Sequence, residues 1–356
     1  MTGARVGIDL SRVASNAADL VELLGRSGVS VTGVTKAVLG HPAYAETLVD
    51  AGVARLGDSR VENIERMRCA GVTATTMLLR SPMISQVERV VHCADISMNT
   101  EPAVLHALSD AAGVAAKKHE VVLMVELGDL REGIGRADLA AVVEETLTLP
   151  HIALVGIGTN LACRSGTVPD DRNMAELSTT ADDVETEFGI TLDIVSGGNS
   201  ANLDWLASTD DVGRVNDLRL GEAILLGCEP LHRRPLPGLH LDAFTISGEV
   251  VESKRKPTLP WGSVAQAAFG TPSPPADRGE IWQTIVALGR QDIDPDGLTP
   301  PAGTTVLAAS SDHLVLETPR RVPPGETIAF RPDYAALLRA MTSPFATQEI
   351  RPRRSA

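Results

Sequence analysis

Between residues 5 and 228, short runs of β-branched and apolar residues alternate with longer stretches in which apolar residues recur every three to four positions. This is the pattern of parallel strands joined by crossover helices. The segments 29–38, 55–58, 75–79, 95–99, 120–126, 152–158, 192–195 and 217–226 are the eight strands it predicts. Segments 43–51, 60–68, 101–118, 137–149 and 172–188 have helical character. Eight βα units over roughly 200 residues match a (β/α)8, TIM-like barrel, and the Gly-rich first turn of a doubly wound sheet is absent. After Cys228 the texture changes. RRPLPG at 233–238 precedes short alternating runs at 244–251, 281–288, 304–308, 314–317 and 327–330, with a loop at 271–277 and a helix at 334–341. The expected organisation is an α/β barrel over 1–232 and a mostly β domain over 233–356.

Composition narrows the function classes. Asp and Glu total 46 against 32 Lys and Arg, a net charge of −14, so the chain repels phosphate backbones and no nucleic-acid partner is expected. Its one basic cluster is Arg351, Arg353 and Arg354 near the end. No uncharged apolar run reaches the roughly 18 residues of a membrane span, so no membrane association is expected. The start, MTGARVGIDL, lacks the features of a signal peptide, and Cys69, Cys93, Cys163 and Cys228 are scattered without CxxC or HExxH spacing. Those features point to a reducing cytoplasm and to no metal site.

In such a barrel the chemistry sits at the carboxyl ends of the strands. Lys36, in VTGVTKAVLG, is expected to be largely buried, where a bare ammonium is costly. It is either paired with Asp58 or Glu62, or desolvated so that its amine can form a Schiff base. Arg131 follows the fifth strand in VELGDLREG, placed to hold an anion or phenolate oxygen, or else paired with Asp129 or Glu132. The sixth strand ends in Thr159, Asn160 and Cys163; with no histidine nearby in sequence, a structural role for the cysteine is the better reading. SGGNSANL opens a helix after the seventh strand with Asn199 and Ser200, and NDLRLGEAILLG adds Arg219 and the backbone of Gly221 and Glu222. Helix starts and hydroxyls after strands seven and eight make an anion site. Facing a lysine from the first strand, they describe a site for a phosphorylated, lysine-linked cofactor, and pyridoxal 5'-phosphate fits.

The order of these pieces resembles the alanine racemase fold type of pyridoxal-phosphate enzymes. IDLSRVASN and VTKAVLGHP resemble the opening strand and helix and the cofactor-lysine strand. LGDSRVENI, MLLRSPM, DISMNTE, VELGDLREGI, SGGNSANL and LRLGEAILLGCEP are similar to the ornithine racemase branch, and AFGTP, LGRQDID, SSDHLVLE and DYAALLRAMTSP extend the likeness over nearly the whole chain. The resemblance implies an amino-acid racemase acting by two-base exchange of the α-proton, on ornithine, another basic amino acid, or alanine, and working as a homodimer. It implies that Lys36 carries the cofactor and is one base, and that Arg131 contacts the phenolic oxygen. Asn199 and Ser200, with the amides of Gly221 and Glu222, would hold the phosphate, and Arg219 would face the pyridine nitrogen and keep it unprotonated.

Departures from the family pattern matter as much. The family's second base is a tyrosine from the neighbouring subunit's β-domain, in a region where this chain reads WGSVAQAAFG; Phe269 cannot take a proton, and of the two tyrosines, Tyr44 and Tyr334, the latter lies in the terminal helix. His313, then Asp312, are the candidates left in the β-domain, and Asn160 stands where the family has a histidine. Asp292, Asp294 and Asp312 suit a substrate with a distal cation. Rival readings are a non-catalytic pyridoxal-phosphate homeostasis protein, whose barrel lacks the extra β-domain, and a D-amino-acid aldolase or dehydratase, which would need metal ligands that the β-domain lacks.

Overall fold

A computed structural model describes residues 3–270 and 276–353. Residues 271–275 of the expected loop and Arg354 of the basic tail lie outside the described residues. The described chain forms two compact units, residues 12–240 and residues 1–11 with 241–356. The expected division was 1–232 and 233–356; the contacts instead assign the N-terminal strand to the β unit.

The barrel is closed and parallel, as its eight predicted strands require. Its strands are β2 (Ser30–Val34), β3 (Arg55–Asp58), β4 (Thr76–Leu78), β5 (Ile96–Asn99), β6 (His119–Met124), β7 (Ile152–Gly158), β8 (Ile194–Asn199) and β9 (Asp217–Leu220). β2 pairs with β9 to close the ring. Helices α1 (Leu10–Gly25), α2 (Pro42–Asp50), α3 (Val61–Cys69), α4 (Val87–Cys93), α5 (Pro102–Val114), α6 (Arg136–Thr148), α7 (Asp171–Phe188), α8 (Leu203–Ser208) and α9 (Glu222–Leu226) connect or flank the strands. Two predicted strands end differently. The 29–38 segment leaves the sheet at Val34 and Lys36–Val38 forms a 3-10 turn, while 217–226 breaks at Gly221 into β9 and α9.

The barrel interior is divided by chemistry. Met77, Ile96, Met98, Val122, Met124 and Ile194 form one apolar cluster across β4, β5, β6 and β8. Each such fully buried side chain contributes about 1.5–3 kcal/mol. Two residues beyond Ile194, on the same strand face, Ser196 starts a polar row that crosses to β9 and β2. Between the strands and the helices lies a second buried polar group, where the His119 ring nitrogen and Ser97 Oγ are 2.8 Å apart.

Burial holds the His119 pKa down to about 4, against 6.5 ordinarily. Between those values the unfolded chain binds a proton that the folded chain does not, so stability falls as pH drops through the window. The full loss is about 3 kcal/mol. Urea unfolding at pH 7 and pH 4 will show a smaller acid-side loss for His119→Gln than for the parent; equal losses would remove this assignment.

The second unit is antiparallel except for one strand pair. β10 (Phe244–Pro257), β11 (Glu280–Val286), β12 (Leu298–Thr299), β13 (Thr305–Ala309), β14 (Leu314–Thr318) and β15 (Thr327–Pro332) run in the order β12-β15-β10-β11-β14-β13. β1 (Ala4–Asp9) pairs antiparallel with β10 and parallel with β16 (Thr347–Arg351), and α10 (Tyr334–Thr342) packs against the sheet. Among the described residues no helix is long and apolar enough to cross a membrane.

Candidate active site at the barrel mouth

Lys36 stands just past the carboxyl end of β2. Thr35 makes the last bond to β3, its backbone N–H to Gly57 O at 2.9 Å, and then leaves the strand as its backbone turns to φ −103°, ψ −4°, with the amides of Val38 and Gly40 turning back onto Thr35 O. This turn corrects the expectation of a largely buried strand lysine: the side chain is open to solvent. Enough protein nevertheless walls it in that burial lowers its pKa, helped by the charges of Arg131 and Arg219 and opposed by Cys163 and Asp58. A recess, rather than a convex surface, reconciles the two observations.

Asp58 and Glu62, the partners weighed for Lys36, are engaged elsewhere. The Asp58 carboxylate accepts from Thr35 Oγ1 at 2.7 Å, Arg60 N at 2.9 Å and Asn63 Nδ2 at 3.0 Å, and burial raises its pKa. Glu62 accepts from Gln86 and Arg89. Asp58 therefore fixes the turn that carries Lys36, and its charge also reaches the amine.

Arg131 lies in the loop after β6, where its guanidinium pairs with Glu132. Asp129, its other expected partner, is buried and accepts from the amides of Arg164 and Ser165 at 3.0 Å, tying this loop to the one after β7. Gly133 permits the loop its path: a Cβ there would lie 2.7 Å from Glu126 Cα. The bracing brings Cys163 near Lys36, Arg131 and Arg219.

Arg219 is the most buried of the three cations at the barrel mouth. It is 4% exposed and donates to Ser196 Oγ at 2.5 Å, Thr159 O at 2.7 Å and Asn160 Oδ1 at 3.3 Å. Burial lowers its pKa and the charge of Asp217 opposes the shift. Asn160 Oδ1 also receives Asn199 Nδ2 at 3.2 Å. Two donors converging on one oxygen settle the amide orientation, and Asn160 Nδ2 is left buried without a partner.

Asn199 ends β8 as a cap: its Oδ1 accepts from Ala201 N at 2.8 Å and its Nδ2 donates to Leu161 O at 2.9 Å. Gly198 precedes it at φ 144°, where a Cβ would sit 2.2 Å from Asn202 Oδ1. Ser200 is buried and its Oγ accepts from Ala223 N at 3.3 Å, joining the turn after β8 to the start of α9. Gly221 caps α9, and the Glu222 side chain pairs with Arg233. The two chain turns expected to form an anion cradle are thus held together.

The β-unit candidates occupy one turn. His313 and Asp312 are exposed between β13 and β14, in a turn closed by Ser310 N to His313 O at 2.8 Å. Asp312 Oδ1 accepts from Gln291 Nε2 at 2.5 Å, and Asp312 lines a cleft with Gln291, Asp292 and Phe345. Asp294 caps the turn at Pro295 and does not line that cleft. Phe269 lies under the Arg290 guanidinium at 5.2 Å. No group of three or more metal-ligating side chains occurs among the described residues.

Sequence reasoning passed over the row beneath Arg219. Thr32 Oγ1 and Ser196 Oγ both donate to the Asp217 carboxylate, at 2.6 and 2.5 Å, and Arg55 Nη1 lies 3.4 Å from it. An aspartate opening the DLRL strand two residues before Arg219, on the same strand face, was the available signal.

A closed parallel barrel whose mouth gathers a lysine of lowered pKa, two guanidiniums and two adjoining chain turns defines the class of barrels that take an anionic ligand beside an amine. Residues 8–229 match the model of the alanine racemase N-terminal domain. The chain is 38% identical to lysine racemase of Thermotoga maritima over 99% of each chain. It is 36% identical to ornithine racemase of Acetoanaerobium sticklandii over 97% of this chain and 99% of that one. Among solved structures, alanine racemase from Streptomyces lavendulae superposes with a TM-score of 0.76 at 18% identity, covering 99% of this chain and 97% of that one. Alanine racemase from Bartonella henselae with covalently bound pyridoxal phosphate gives 0.75 at 14%, covering 99% and 100%. The chain belongs to the alanine racemase family.

Proposed function

We propose that the protein is a pyridoxal-phosphate-dependent racemase of basic amino acids, lysine and ornithine before alanine. The observation that carries this reading is the grouping of Lys36, Arg131 and Arg219 at one barrel mouth, with the amine held below its ordinary pKa. The names of the two full-length relatives support the substrate class.

The residues fit the cofactor. Lys36 supplies an amine made more nucleophilic by its surroundings. The amides of Gly221 and Glu222 with Ser200 suit the phosphate, while Asn199, whose own side chain is engaged, shapes the turn that presents them. Arg131, released from Glu132, suits the phenolic oxygen. Arg219 suits the pyridine nitrogen, and the unpartnered Asn160 Nδ2 beside it is a donor awaiting an acceptor. When bound, pyridoxal phosphate draws electron density from the substrate α-carbon and so lowers the barrier to loss of its proton.

The chain's own groups then move the proton. Lys36 Nζ takes or returns it on one face, and for the other face the candidates this chain offers are His313 and Asp312, exposed in the β unit. Arg219, a donor that keeps its proton, would face the ring nitrogen and leave it unprotonated, which would temper electron withdrawal and favour simple proton exchange. Asp292 and Asp312 in the β-unit cleft suit a distal ammonium. We place the enzyme in the cytoplasm as a homodimer, a state supported by the exposed Trp261, Val264 and Phe269 beyond β10.

Incubation of the loaded enzyme with L-lysine, L-ornithine or L-alanine in heavy water tests the reading. The D-isomers will carry α-deuterium, with kcat/KM for the diamino acids about 10-fold or more above that for alanine. Equal turnover of alanine and ornithine would overturn the substrate assignment. Binding of the cofactor without exchange of any substrate would favour a binding protein.

A further inference from the structure

Arg219 is held from below by a chain of groups with a fixed direction. Its Nη1 donates to Ser196 Oγ, so the Ser196 proton is free to point only onward, to Asp217 Oδ2 at 2.5 Å. Asp217 in turn accepts from Thr32 Oγ1 at 2.6 Å and faces Arg55 at 3.4 Å. Thr32, Ser196 and Asp217 are each fully buried. An isolated carboxylate in such a place would be strongly disfavoured, and an isolated guanidinium equally so. Together they satisfy one another, and three strands, β2, β8 and β9, must be in register for the row to exist.

The other contacts of Arg219 are to its side, Thr159 O and Asn160 Oδ1. Neither carries charge. Asp217 is the anion that acts most strongly on the guanidinium, and among the described residues Ser196 bridges the two. We propose that Asp217, acting through the Ser196 hydroxyl, is a positioning residue that fixes where the Arg219 guanidinium points and, through it, the state of the cofactor's ring nitrogen. This rests on the reading of Arg219 as the partner of that nitrogen.

Ser196→Ala leaves Nη1 without an acceptor in a buried place, so the guanidinium turns toward other partners and the nitrogen gains proton affinity. Asp217→Asn keeps the shape and removes the balancing charge. Thr32→Val removes one donor to Asp217 and none of the hydrogen bonds of the Arg219 guanidinium, although the two residues are cross-strand neighbours, which keeps the test available if either of the first two fails to fold. Ser97→Ala, a comparably buried hydroxyl loss between the strands and the helices, is the control.

Two readouts are taken. In protein freed of cofactor, exchange of the Arg219 guanidinium protons is followed by NMR. In the holoenzyme, the nitrogen-15 resonance of labelled pyridoxal phosphate is followed. Exchange is expected to speed about 10-fold or more in Ser196→Ala, less in Asp217→Asn and Thr32→Val, and not at all in Ser97→Ala. The resonance will move toward its protonated position in the same order. Parent-like exchange and an unmoved resonance in every folded variant of the row, or equal changes in Ser97→Ala, would overturn the clamp. Altered exchange with an unmoved resonance would keep the clamp on Arg219 and overturn its reach to the nitrogen. A parent that does not bind pyridoxal phosphate would remove the functional reading, while the exchange experiment would still decide whether Ser196 and Asp217 hold Arg219.

Discussion

Lys36→Ala will lose racemisation by roughly 10³-fold or more and will carry no covalently linked cofactor after reduction with borohydride. The size of the effect follows from two roles falling on one atom. Nζ is the proposed attachment point and one of the two proton carriers, so its removal takes away both the electron withdrawal and the proton path on that face. The fold will survive, because Lys36 is solvent-exposed and its turn is held by backbone bonds to Thr35 and by Asp58. A melting temperature near that of the parent, with activity gone, is the expected pair of results. Retained activity with noncovalent cofactor would overturn the assignment of Lys36.

The same amine has a predicted pH signature. Its pKa is lowered chiefly by burial and further by Arg131 and Arg219. A lowered pKa leaves more neutral amine at any pH below the ordinary value of 10.5, so reloading of cofactor-free protein will reach its plateau rate at a lower pH than free lysine requires. Arg131→Gln removes one lowering charge and will move that plateau to higher pH.

The barrel was legible because eight apolar runs with helical spacers leave few alternatives, and two of them, β3 and β7, match their predicted limits residue for residue. The misread ends share one cause. Local periodicity registers that Val29 to Val38 is apolar but not that the Thr35 backbone turns to φ −103°, ψ −4° and takes Lys36 out of the sheet. Likewise Asp217 to Leu226 reads as one run until Gly221 caps a helix within it. The N-terminal strand pairs with partners some 240 and 340 residues away, at Gly248 and Thr347, a separation no local pattern records. The site divides the same way. Lys36, Arg131 and Arg219 carry charge at strand ends and announce themselves, whereas Thr32, Ser196 and Asp217 are ordinary strand residues that become a network only through register across three strands.

His313→Asn will separate exchange from inversion. A racemase must deliver a proton to the face opposite the one it was taken from, and Lys36 can serve only one face. The tyrosine inventory offers little: Tyr44 is buried in α2, Tyr334 opens α10, and Phe269 has no proton to give. His313 and Asp312 share an exposed turn, with Asp312 already accepting from Gln291. With His313 replaced, racemisation will fall by about 10²-fold or more in both directions, equally, because two mirror-image substrates have the same free energy. The antipode whose proton Lys36 removes will still exchange it for deuterium without inverting, and the other antipode will become inert. Asp312→Asn will produce the weaker form of the same split if it orients the histidine, and the full form if it is itself the base. Undiminished inversion in both variants would place the second proton carrier elsewhere in the chain.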